Sequence, residues 1–223
     1  MEDWLNEIDD AMLDKSVAEQ IERDEKFSYD EIPVGVHEVK IDNAYVYKTD
    51  NGAKMFCIDY EDKNGATLKQ MECIASGDDK GNKPTYTNKD GKEIPLPGLI
   101  NVKMFFKVIN ENIKDQKPID ETIEHFGNEK RVKVFKNLIG KKLKIVVQDE
   151  EELDNRDNSI VIKRKVKMPL TMDGKNAIGE FVEDKQKERL EKKPIKKLSK
   201  AKRKLANNSS NNETNEDDSE LEW

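Results

Sequence analysis

The sequence predicts a mainly β domain: five strands with one inserted helix, preceded by an acidic helical segment and followed by a basic arm and an acidic tail. Three observations carry this. Apolar residues alternate with a period of two through several short runs after residue 32. Asn-Gly pairs separate the first of those runs. Charge is arranged in blocks: residues 1–31 hold twelve acids against three bases, residues 185–205 eleven bases against two acids, and residues 206–223 six acids and no base. The 223-residue chain is 39% charged and 35% hydrophobic, with a net charge of −7. The blocks at the ends account for nearly all of that charge, so the central segment is close to neutral and suits one domain of roughly 150 residues.

Residues 2–25 read as a helix, because Trp4, Leu5, Ile8, Met12, Val17 and Ile21 recur at three- to five-residue steps among acids. Such a helix can lay one face on the domain or dock a partner or neighbouring subunit. The first strand spans Val34–Lys48, with Val39, Ile41, Tyr45 and Tyr47 on one parity. The second spans Lys54–Glu61, with Phe56, Ile58 and Tyr60 together. The third spans Leu68–Ala75, with Leu68 and Ile74 opposed to Met71 and Cys73. Asn51-Gly52 and Asn64-Gly65 favour the positive-φ turns that join antiparallel strands, so the three form a meander. Residues 76–98 are a polar excursion, with a small hairpin around Asp90-Gly91. Pro95 and Pro97 then open a helix carrying Leu99, Val102, Phe106 and Ile109, ending near Asn112. Residues 113–130 read as loop, with at most a helical turn at Glu121–Phe126. Lys142–Gln148 and Ser159–Met168 are the last two strands, joined by an acidic loop at 149–158. Residues 183–205 have the composition of a basic helix, and residues 206–223 that of a disordered tail.

Three strands, a helix and two strands is the order of the OB-fold, a small, partly open five-stranded barrel that binds oligonucleotides. A β-sandwich or another small barrel is the competing arrangement. The domain so read covers 32–182, between a 1–31 helical segment and a 183–205 arm.

Several function classes are disfavoured. The chain has no Walker A motif, no nucleophile motif and no His-centred triad, so no enzyme is expected. Cys57, Cys73, His37 and His125 fit no zinc spacing, so no metal or other cofactor is expected and the thiols read as reduced. The acidic N-terminus has no signal-peptide pattern, and no apolar run approaches the ~20 residues of a membrane span.

The stretches IPVGVHEVKIDNAYVYKTDNGAKMFCIDYED, FKNLIGKKLKIVVQ and the terminal EDDSELEW together resemble the bacteriophage single-stranded DNA-binding proteins with an OB-fold core and an acidic C-terminal tail. The resemblance spans about residues 30–180 plus the tip. Related tails often end in phenylalanine, whereas this one ends in Trp223. The resemblance implies coating of unwound DNA in replication, recombination or repair, in the cytoplasm of an infected bacterial host. It also implies recruitment of replication proteins such as polymerase, helicase or primase through the tail. Asp217, Asp218, Glu220, Leu221, Glu222 and Trp223 would form that partner-binding tip. An RNA-binding or protein-interaction module is the alternative.

Sequence-independent binding of single strands needs cations that follow the phosphates and aromatic faces that stack on bases. The aromatic candidates are Tyr45, Tyr47, Phe56, Tyr60 and Tyr86, each of which could instead pack in a core. The cationic candidates are Lys48, Lys54, Lys69 and Lys83, with Lys80, Lys89 and Lys92 in the same excursion, and the run Lys163, Arg164, Lys165 and Lys167. That run is the strongest, since a strand carries such charge density readily when it faces an anion. The 185–205 arm reads either as a further phosphate contact or as a soluble linker. The tethered tail can compete with DNA for the groove at high effective concentration. Self-association is open.

Overall fold

The computed structural model describes residues 31–200 apart from 126, 155 and 157, together with 202, 203 and 206. The expected N-terminal helix and acidic tail lie outside the described residues. The domain is mainly β. Strands β1 (Gly35–Lys48), β2 (Lys54–Asp62) and β3 (Thr67–Ala75) form the expected antiparallel meander. Gly52 and Gly65 both take a φ of +84° at its turns. The excursion carries the small expected hairpin, β4 (Thr85–Thr87) and β5 (Glu93–Pro95). Helix α1 (Pro97–Val108) follows, with proline in its first turn, where a missing N–H costs no helical bond.

Within the 113–130 segment expected as loop, and on to residue 134, the structure differs. Residues 119–134 form a second hairpin, β6 (Ile119–His125) with β7 (Asn128–Val134), rather than a loop. Asp120 stands opposite Lys133, with an ion pair at 3.4 Å, whereas Glu124 stands opposite the like-charged Glu129. Only a thin stripe, Ile123, Val132 and Val134, turns inward.

Strand β8 (Lys142–Leu153) pairs with β1, and β9 (Ile160–Leu170) with β8. The acids expected to form a loop at 149–158 instead prolong β8 by five residues. There Asp149 and Glu150 face Arg164 and Lys163 across the ladder. The segment after β9 is not a free arm. Helix α2 (Glu183–Lys192) packs on the sheet through Leu190, which joins Val146 and Leu170 in a small apolar cluster. The two-residue β10 (Ile195–Lys196) then runs parallel to Asp149–Glu150. β10 continues the edge of β8 that β1 leaves at Val147.

The main strand order is β9-β8-β1-β2-β3, and no ladder among the described residues joins β9 to β3, so the sheet is not a closed barrel. The main core lies between the sheet and α1. Phe56 sits among Phe105, Phe106 and Phe135, with ring centroids 5.4–6.1 Å away. The first strand does not keep one parity. Its pairing with β2 shifts between Ile41 and Asn43, a bulge that turns Val39 and Ile41 and then Ala44 into the main core. Tyr45 and Tyr47 are thereby thrown to the opposite face. There they pack with Cys57, Val132 and Val134 beneath the β6–β7 hairpin.

Candidate nucleic-acid interface

The aromatic candidates divide sharply by burial. Tyr45, Phe56 and Tyr60 are 0–1% exposed and Tyr47 is 9% exposed, so none of the four offers a face to a base in this structure. They are packing residues, because each strand face that carries them is covered: one by α1, the other by the β6–β7 hairpin. The phenols that remain polar are satisfied inside. Tyr60 Oη donates to Gln70 Oε1 at 2.9 Å, and Lys69 Nζ donates to Tyr45 Oη at 2.9 Å. Burial pushes both phenol pKa values well up, so both stay protonated. Burial likewise pushes the Cys57 thiol up to about 12, which suits an inert packing thiol. Lys69 also pairs with Asp59 at 3.3 Å and is a half-buried structural cation rather than an open phosphate contact. Lys130, on β7, lies over the Tyr47 ring 4.6 Å from its centroid.

The basic run on β9 is engaged by the protein's own acids. Arg164 donates to Asp149 at 2.9 Å and reaches Glu31 at 3.5 Å. Lys167 binds Glu150 at 2.7 Å. Lys163 reaches Glu152 at 3.5 Å, and Lys165 bonds to the same carboxylate. The strand does tolerate its charge by facing anions, but those anions are the carboxylates of β8. From the other edge, Lys196 binds Glu150 at 2.8 Å, and Glu151 accepts from Leu198 N at 2.9 Å and from Arg203 at 2.5 Å. Burial pulls the Glu150 pKa up, but Lys167 and Lys196 hold it below the ordinary carboxylate value. The Leu198 N–H and then Arg203 lower that of Glu151.

The remaining candidates converge at the far end of β1. The excursion is pinned to the β1–β2 turn: Asp78 N donates to Asn51 O at 2.8 Å, and Lys48 pairs with Asp78 at 3.4 Å. Gly77 allows this approach, since a Cβ there would lie 2.7 Å from Asn51 O. Ser76 and Lys83 then close the loop, with Ser76 N donating to Lys83 O and Lys83 N to Ser76 Oγ, both at 2.9 Å. Lys54 stands opposite Ala75, next to that closure. Lys54 and Lys83 are exposed and form no ion pair among the described residues; Lys80, Lys89 and Lys92 share both properties. Tyr86, on β4, is 43% exposed and stands opposite Ile94. Lys130 approaches the same turn through Asp50 at 3.9 Å.

The structure therefore brings Lys48, Lys54 and Lys83 to one rim, with Tyr86 on the hairpin that continues the same excursion. It keeps Lys69, Tyr45, Tyr47, Phe56 and Tyr60 inside and commits the 163–167 run to β8. Sequence reasoning missed Lys130, because its segment reads as loop. The tip residues Asp217, Asp218, Glu220, Leu221, Glu222 and Trp223 lie outside the described residues. Among the described residues, no group of three or more His, Cys, Asp or Glu is placed to hold a metal, and no helix is long and apolar enough to cross a membrane. No protein-family model and no curated protein matches the chain.

Proposed function

We propose that the chain is a single-stranded DNA-binding protein built on an open OB-type sheet, and that the rim formed by the β1–β2 turn and the 76–96 excursion is where the strand enters. The observation that carries this reading is the rim itself: an exposed aromatic, Tyr86, on a loop whose lysines form no ion pair among the described residues, fastened by backbone hydrogen bonds beside Lys54. Cations that follow phosphates and an aromatic face that stacks on any base are what sequence-tolerant single-strand binding requires. The strand order β9-β8-β1-β2-β3, with α1 between β3 and β8, supports the OB-type reading. Coating of unwound DNA in phage replication, recombination or repair, and recruitment of replication proteins by the acidic tail, are part of the same proposal and rest on the resemblance.

Fluorescence anisotropy with labelled oligo(dT) of about 30 nucleotides, long enough to exceed one OB-type site, tests it. The expected result is salt-sensitive binding that duplex DNA fails to compete away and that equal-length RNA competes only weakly. Equal competition by RNA would favour an RNA-binding module. No binding at low salt would favour a protein-interaction module.

A further inference from the structure

Between the β8–β9 ribbon and residues 189–197 lies an open cavity of about 770 Å³. Six cations line it, Lys167, Arg189, Lys192, Lys193, Lys196 and Lys197, and among the described residues no carboxylate does. We infer that this cavity is a binding site for phosphate oxyanions, separate from the rim at the other end of β1.

Helix and ion-pair chemistry account for only part of the charge. Lys167 and Lys196 share Glu150 behind the wall, at 2.7 and 2.8 Å, and Lys192 pairs with Glu188 one turn back along α2. Crediting both carboxylates still leaves four positive charges. The C-terminal end of α2, where Arg189 and Lys192 sit, offsets only about half a charge. Lys193 and Lys197 make no ion pair among the described residues, although Lys197 is close enough to help lower the Glu151 pKa. Like charges gathered around one concavity repel one another, and a multivalent anion relieves that repulsion.

The site is also built rather than incidental. Gln148 is 4% exposed and uses both ends of its amide to set the wall: Nε2 donates to Lys193 O at 2.6 Å, and Oε1 accepts from Arg189 at 3.2 Å. This fixes the turn out of α2 and brings its cations toward Lys167 on β9. Pro194 and Ile195 supply an apolar surface between the charges. The chemistry fits several phosphate groups in series, as in a free nucleoside triphosphate or in consecutive phosphodiesters of a single strand. Because the site shares no residue with the rim, it stands or falls independently of the proposed DNA entry.

Calorimetric titration of the full chain with inorganic tripolyphosphate at low salt tests the site. The variant pair is K193Q/K197Q, which removes two cations without breaking an observed ion pair and keeps the Lys193 carbonyl that Gln148 uses. The reference pair is K103Q/K107Q, which removes the same charge from the exposed face of α1. Wild type should bind, K193Q/K197Q should lose at least about tenfold in affinity, and K103Q/K107Q should keep wild-type affinity. No binding by wild type, or equal losses in the two pairs, would overturn the assignment. Competition identifies the natural source: dTTP displacing tripolyphosphate where oligo(dT) does not indicates a free nucleotide, and the reverse indicates the strand backbone. Both outcomes support the site. Tripolyphosphate binding in a protein that fails to bind oligo(dT) would refute the proposed function while leaving the site intact.

Discussion

Phe56 and Tyr86 mark the two extremes open to an aromatic residue in this domain. Phe56 is 1% exposed and touches three other rings. Phe56→Ala should destabilise the fold by about 3–5 kcal/mol, because it removes buried area and leaves a cavity that the packed rings cannot fill. A urea titration measures it, and a loss below about 1 kcal/mol would contradict this packing. Tyr86 has little core to lose. Tyr86→Ala should leave the urea midpoint nearly unchanged and weaken oligo(dT) binding by roughly tenfold, the value of one stacked base. Unchanged affinity would remove Tyr86 from the interface. In sequence, both residues sit in short runs with β character; only the neighbours separate them. Phe56 lies two residues from Ile58 and four from Tyr60, a parity that all three keep in the core. Tyr86 lies among Thr, Asn and Lys. Tyr45 and Tyr47 were not legible in this way, because a one-residue bulge near Asp42 changes which face they occupy without leaving a periodic mark.

At the scale of elements, the acidic half of β8 organises the C-terminal third of the domain. Glu150, Glu151 and Glu152 each have a pKa held below the ordinary value. For Glu150, Lys167 and Lys196 outweigh burial; the Leu198 N–H and Arg203 act on Glu151, and Lys165 on Glu152. A carboxylate whose folded pKa lies below its unfolded value stabilises the fold fully above the unfolded value, about 4.3 for glutamate. That contribution is lost as pH falls through the folded pKa. The melting temperature should therefore hold steady down to about pH 5 and fall below it, and Glu151→Gln should lower it at neutral pH while making the acid fall shallower. Melting curves measure both; identical acid slopes in the two proteins would contradict the role given to Glu151. The apolar half of β8, β9 and the β1–β3 meander were legible because they alternate apolar residues and are bounded by Gly or Asn. The acidic half of β8 and the β6–β7 hairpin were not. In the first, Asp149 and Glu150 pair with Arg164 and Lys163 across the ladder, a signal that appears only once the partner is known, and in the second only Ile123, Val132 and Val134 turn inward.

Across the whole molecule, net charge conceals the arrangement that matters. The chain carries −7 overall, yet acids neutralise the β9 run from one side of β8 and hold the 196–203 segment from the other. Among the described residues, cations without an ion pair include Lys54 and Lys83 at the rim, Lys193 and Lys197 at the cavity beside α2, and Lys103 and Lys107 on the exposed face of α1. Charge blocks in the sequence pointed to a basic arm, but the arm's lysines are partly spent on the domain itself, and this depends on where β8 ends. Binding at the rim should be strongly salt-dependent, because each phosphate neutralised releases counterions. Replacing Lys54 and Lys83 together by Gln should make the slope of log affinity against log salt shallower by about 1–2.

The most direct test of the central claim is to follow backbone amide resonances of the isotopically labelled full chain as oligo(dT) is added. The largest shifts are expected at residues 49–54 and 76–96, where the strand enters. Shifts confined to the β8–β9 ribbon, or none at a strand concentration that saturates the anisotropy signal, would contradict the claim.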